Sequence, residues 1–227
     1  MCGRYTLRRP QRIDPKLLGV DELPPLEPRF NIAPSEDILL VRARRGAREA
    51  SLARWGLIPS WAKDPSIGNR MANARDDSLE EKPSFRKAWH SRRGLVIADG
   101  FYEWRTIPGV KRRQPYFVRM KADAPFAFGA LWEVWRPRSD AEWVVSCSLI
   151  TTAPNALLAD IHDRMPVIVG PEDFARWLGE TGNPSPPADL LKPWAPDDME
   201  TWPVSPRVNA TGNDDEACIA PLVSTEA

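Results

Sequence analysis

A cysteine at position 2, directly behind the initiator methionine, offers chemistry that an internal cysteine cannot. Removal of the methionine is expected when the next side chain is this small, and it would leave an α-amine and a thiol on adjacent carbons. Unperturbed, the amine titrates near ~7.7–8.0 and the thiol near ~8.5, so both come within reach of their nucleophilic forms close to neutral pH. Such a pair can capture an aldehyde twice. The amine condenses to an imine, and the thiol then adds to the same carbon and closes a five-membered thiazolidine ring. Alternatively the thiol alone attacks a carbonyl while the amine acts as base, as in N-terminal-nucleophile hydrolases. A Met-Cys start by itself is equally what chance places behind a start codon, so its meaning depends on the rest of the chain.

Other residues could serve that chemistry. Glu103 stands between Tyr102 and Trp104 at the end of an apolar strand. A carboxylate held among aromatic rings loses hydration, which raises its pKa and suits it to proton transfer near pH 7. Alternation alone would equally allow an exposed strand glutamate. His162, beside Asp163 and Arg164, is one of only two imidazoles. The other, His90, lies in a helical run and reads as structural. Asn73 and Arg75, two residues apart, project to one side if extended. The amide suits a sugar hydroxyl or a carbonyl, and the guanidinium suits a phosphate. Arg4, two residues beyond Cys2, is similarly placed for a phosphate, although any one arginine is equally an ordinary surface charge. Trp61 and the turn at Pro34 offer flat surfaces against which bases could rest, but with ten tryptophans most must be core.

The elements that must position these residues follow from hydrophobic pattern and breakers. Residues 1–7 read as a strand carrying the nucleophile. Asp14-Pro15 reads as an N-cap with proline in the first turn of a short helix through Leu18. Asp37 to Arg44 and Glu49 to Arg54 read as two strands joined at Gly46. A helical segment surrounds Phe85, Ala88 and Trp89, and Leu95 to Ala98 is a strand. Arg105 to Arg113 reads as a basic, hairpin-like loop. Strands are expected over Pro115–Met120, Phe126–Trp132, Trp143–Thr152 and Val167–Val169. Short helices are expected over Ala156–Ile161 and Pro171–Gly179, with a proline-rich loop over 184–196. No internal repeat or linker interrupts the chain. One α+β domain over residues 1–227, with mainly antiparallel sheets curled around a core and flanked by short helices, is the economical reading.

Bulk composition sets limits. At 227 residues, 42% hydrophobic and 27% charged, the chain can bury a real core. No run reaches the ~18 apolar residues of a membrane span, and the start lacks a signal pattern. Three widely spaced cysteines, Cys2, Cys147 and Cys218, make neither a disulfide framework nor a metal motif, so a reducing cytoplasm is expected and no metal or cofactor. Residues 1–121 hold 25 Lys and Arg against 14 Asp and Glu, and residues 122–227 hold 6 against 17. The balances of +11 and −11 allow two readings: a basic face for a polyanion, or two halves that interleave and disperse their charges.

Taken together these segments resemble the SRAP family, whose members shield abasic sites in single-stranded DNA. The resemblance rests on Met1-Cys2-Gly3-Arg4-Tyr5, Arg29-Phe30-Asn31-Ile32-Ala33-Pro34, Arg54 through Ala62, Asn73-Ala74-Arg75, Ala98 through Trp104, Ile150-Thr151-Thr152 and His162-Asp163-Arg164-Met165-Pro166. Trp202-Pro203-Val204-Ser205 and Val208-Asn209 in the tail also fit. The resemblance implies that Cys2 forms a thiazolidine with the ring-opened deoxyribose. It implies that Asn73, Glu103 and His162 surround the sugar and that Arg4, Arg75 and Arg164 hold flanking phosphates. It further implies that Asn31, Pro34, Trp61 and Thr151 line the DNA path. Single-stranded DNA carrying an abasic site is then the expected partner of a cytoplasmic, nucleoid-associated monomer. Peptidase action, on the Met1–Cys2 bond itself among other amides, is the alternative the family's name carries. Two departures stand out: Asp77-Ser78 in place of Glu-Thr, and Gly94 where cysteine is common.

Overall fold

The computed structural model describes residues 2–137, 140–183 and 185–222. Its strands are β1 (Arg4–Leu7), β2 (Arg29–Ile32), β3 (Asp37–Arg44), β4 (Ala47–Trp55), β5 (Asn73–Arg75), β6 (Arg93–Ala98), β7 (Gly100–Arg105), β8 (Gln114–Met120), β9 (Phe126–Trp135), β10 (Val144–Thr152), β11 (Met165–Pro166), β12 (Ile168–Val169) and β13 (Met199–Pro203). Three short helices, α1 (Pro15–Leu18), α2 (Pro83–Ser91) and α3 (Phe174–Leu178), lie around them. The expected α+β class with mainly antiparallel sheets is what the chain adopts.

Two sheets carry the fold. One runs β13-β8-β7-β1-β2. In the other, β10, β4, β3, β6 and β9 pair in turn, and β9 pairs back to β10, which closes a barrel. β6 explains why that barrel is a packed core: all six of its residues are buried. A Cβ at Gly94 on β6 would stand 2.7 Å from Leu40 Cδ1 and 3.3 Å from Trp132, so Leu40 would have to move aside for any side chain there. Tyr5 of β1 joins the two sheets, with its ring edge-on to Trp55 at 5.4 Å and to Phe128 at 5.8 Å. Burying rings of this size removes 150–250 Å² each from water, so this cluster anchors β1 against the barrel.

The element that brings Asn73 into place is β5. After Trp55 the chain peels away from β10 at Gly56, whose φ of +129° suits glycine and where a Cβ would meet the Gly68 carbonyl oxygen at 2.5 Å. β5 then takes the edge of β10 that β4 has left, pairing in parallel with Leu149, Ile150 and Thr151.

Several expectations need correction. Residues 156–161 form consecutive turns, not a helix, with His162 N–H reaching the Leu158 carbonyl at 2.9 Å. Pro171–Gly179 begins as a 3-10 turn before α3, which ends at Gly179. The first strand starts at Arg4, and Met1 lies outside the described residues. The two halves interleave, since β13 pairs with β8 in β1's sheet and β10 pairs with β4. Their charges pair across the divide, as in Arg8–Asp123, Arg48–Glu180 and Arg119–Glu200. The segregated basic and acidic faces are therefore not what forms.

Candidate active site

β1 lies between β2 and β7, with Arg4 opposite Tyr102, Tyr5 opposite Phe101 and Thr6 opposite Gly100. That antiparallel register brings the chain just before Arg4 alongside the residue just after Tyr102, which is Glu103. Cys2 is fully buried, and its thiol lies 3.7 Å from the Arg4 carbonyl oxygen. Asn73 Nδ2 donates to the Cys2 carbonyl at 2.8 Å, so β5 pins the nucleophile's backbone from the other side. Asn73 Oδ1 is buried and has no hydrogen-bond partner among the described residues. It is an acceptor available for a substrate hydroxyl or an amine.

Glu103 is 1% exposed, and burial pushes its carboxyl up to about 7. Its Oε2 lies 3.9 Å from His162 Nε2. Burial also holds the imidazole below its ordinary value, with the nearby Arg113 cation acting in the same direction. His162 is therefore neutral at pH 7. Its Nδ1 accepts the Arg164 N–H at 3.0 Å, which puts the ring proton on Nε2, the nitrogen that faces Glu103. The exposed Asp163 carboxylate, 2.9 Å from Nδ1, would instead hold the protonated ring. Burial, and then the charge of Glu103, raise the Cys2 thiol above the ordinary thiol range. This corrects the expectation of a thiol poised near neutrality. A thiolate here must be made by handing its proton to a neighbour as the bond forms.

A family model described as "SOS response associated peptidase (SRAP)" matches residues 1–211. The chain belongs to the SRAP family. It is 41% identical over 217 residues to the "Abasic site processing protein YoqW" of Bacillus subtilis, covering 94% of this chain and 96% of that protein. It is 33% identical to the "Abasic site processing protein HMCES" of Mus musculus, covering 97% of this chain and 76% of that protein. A solved structure of a protein from Bacteroides thetaiotaomicron superposes with a TM-score of 0.75 at 26% identity, covering 86% of this chain and 85% of that one.

The remaining SRAP motif residues fall into two groups. Trp61, 60% exposed, and the partly exposed Pro34 present flat surfaces to solvent. Arg75 is exposed but gripped by Asp77 through Nε at 3.1 Å and Nη2 at 2.5 Å, so the Asp77 departure does bear on that arginine. The others are built in. Arg164 Nη2 bonds Asp76 at 2.6 Å and the Thr151 carbonyl, and Thr151 is itself fully buried. Arg4 donates to Asn31 Oδ1 at 2.8 Å and to the carbonyls of Val208 and Asn209. Asn31 is fully buried, with Nδ2 spent on the carbonyls of Val208, Ala210 and Asn213. It is a strut beneath Arg4, not a surface for DNA, because every donor it has is already used.

Three supporting residues escaped the sequence reading. Asp214 caps β2 by accepting from the N–H groups of Phe30 and Asn31 and from Arg29. Asp76 holds Arg164. Asn155 accepts from Leu158 N–H at 3.1 Å and donates to the Trp194 carbonyl at 2.9 Å, which fixes the turns that deliver His162. An asparagine opening a short loop is a turn signal, and that was the one available clue.

Proposed function

We propose that this protein captures abasic sites in single-stranded DNA through Cys2, after loss of Met1, and so shields the lesion. The observation that carries the reading is the convergence of Asn73, Glu103 and His162 around buried Cys2. The abasic-site processing proteins among its relatives support it. In the reaction the Cys2 amine adds to the deoxyribose aldehyde, and water leaves to give an imine. The thiol then adds to the imine carbon while its proton passes to the nitrogen, and a thiazolidine closes. One water is lost overall.

Glu103, with a carboxyl near 7, is about half ionised at neutral pH and can both accept and return a proton. It takes a proton from the amine and returns it to the departing hydroxyl, then relays the thiol's proton to the imine nitrogen. His162 Nε2–H donates toward the sugar oxygen as the ring opens. Asn73 fixes Cys2 and offers Oδ1 to the sugar. Each step is reversible, so the same Glu103 assists release. Peptidase action on the Met1–Cys2 bond would instead need donors at the carbonyl of residue 1, which lies outside the described residues.

Intact-mass measurement after incubation with an abasic single-stranded oligonucleotide tests the reading. The expected product is protein lacking Met1 plus the DNA strand minus water. Cys2→Ala should give no adduct yet retain salt-sensitive binding. An adduct mapped to Cys147 or Cys218, both buried, would refute it.

A further inference from the structure

Between Glu103 and Asp123 the sequence contains no acidic residue but six cations: Arg105, Lys111, Arg112, Arg113, Arg119 and Lys121. Arg119 is committed to Glu200 and Asp123. The first four lie at or between the facing ends of β7 and β8, where Arg105 pairs with Gln114. All four are exposed, and none makes an ion pair with another described residue. Like charges so close together destabilise an isolated protein modestly, which leaves open what they face.

The location answers that. Glu103 and Arg105 are two residues apart on one strand, so they project from the same face, with Arg105 about 7 Å farther out. Arg113 stands next to Gln114, across the pair from Arg105, and its charge reaches His162. The hairpin is thus a cationic arm that begins at the proton-transfer residue and extends away from it. Arg4 and Arg164, by contrast, already have protein partners.

We propose that the β7–β8 hairpin, through Arg105, Lys111, Arg112 and Arg113, is a clamp for the phosphate backbone of the strand that enters the Cys2 site. The inference rests on the capture reading for its choice of polyanion. Phosphodiesters suit it because the cations are spaced along an extended arm and not gathered around one point. Each phosphate neutralised on a single strand adds about 0.7 to the slope of log K against log salt.

The test is the salt dependence of binding to an undamaged single-stranded oligonucleotide. The triple variant Lys111→Ala/Arg112→Ala/Arg113→Ala should lower that slope by about 2 and weaken binding about tenfold or more at low salt. Arg112→Lys/Arg113→Lys keeps the charge and should keep the slope. A triple variant with the wild-type slope would overturn the proposal, as would loss of slope in the charge-conserving double variant. An undamaged strand carries no aldehyde, so this result does not depend on whether Cys2 reacts. Failure of the wild type to form an adduct would sink the capture reading while leaving this measurement intact.

Discussion

Asp99 and Glu103 stand four residues apart, one just before β7 and one within it, and both are almost completely buried, at 2% and 1% exposure. Their surroundings differ. Asp99 accepts from Thr6 Oγ1 at 2.6 Å, from the N–H groups of Arg8 and Arg9, and from Arg8 Nε at 3.1 Å. It is a charge fully answered by donors and a guanidinium, and it ties the far end of β1 to β7. Glu103 faces a neutral imidazole, and its burial raises the pKa. One short stretch of chain therefore carries a carboxylate made into a joint and another made into a reagent. At Asp99 a buried guanidinium answers the charge, whereas at Glu103 burial outweighs the bond from the Trp104 backbone.

If that contrast is right, Glu103→Gln should have the largest effect. Capture should slow by about 10²–10⁴-fold, the span a positioned acid–base group contributes. The wild-type rate should climb as pH rises toward and past 7, as Glu103 ionises, and the variant should lose the rise centred near 7 while keeping the later one from the Cys2 amine. Stability should move the opposite way. A carboxyl at about 7 in the fold against 4.5 unfolded binds its proton more tightly when folded, so Glu103 weakens the fold as pH rises from 4.5 through 7. The glutamine variant should be more stable at pH 8 by about 3 kcal/mol, and that gain should vanish below pH 4.5. Urea unfolding across pH measures both, and an equal offset at all pH values would break the comparison.

Asp99→Ala should do the reverse, removing about 3–5 kcal/mol at neutral pH, because buried Arg8 keeps only Asp123 of its two carboxylate partners and the N–H groups of Arg8 and Arg9 lose their acceptor. Any capture lost should return in proportion to the fraction of molecules still folded. The smallest effect concerns an exposed carboxylate. Asp77→Asn frees Arg75 and should raise affinity for undamaged single strands by about two- to threefold, read by fluorescence anisotropy at low salt.

Much of this arrangement was legible in the chain. The alternation of β3 and β4 about Gly46 and the apolar run of β6 gave the barrel wall, and ordered motifs pointed to Cys2, Asn73, Glu103 and His162. What local pattern did not carry was long-range. β5 is three residues long and exists because β10, some 75 residues later, has a vacant edge. Asn31 looks like a surface amide until the tail carbonyls arrive from nearly 180 residues away. The thiol's raised pKa likewise depends on complete burial by the assembled sheets, which the residues next to Cys2 do not reveal.

β1 has a hydrogen-bonded neighbour on each side, and Asn73 grips the residue that precedes it by two. A chain end ordinarily samples many orientations and would have to be stilled at the moment of reaction. Here that stilling happens once, when the sheet forms. A free Cys-Gly-Arg tripeptide has the same atoms but should meet the aldehyde far more slowly, because it must find its geometry anew at each encounter.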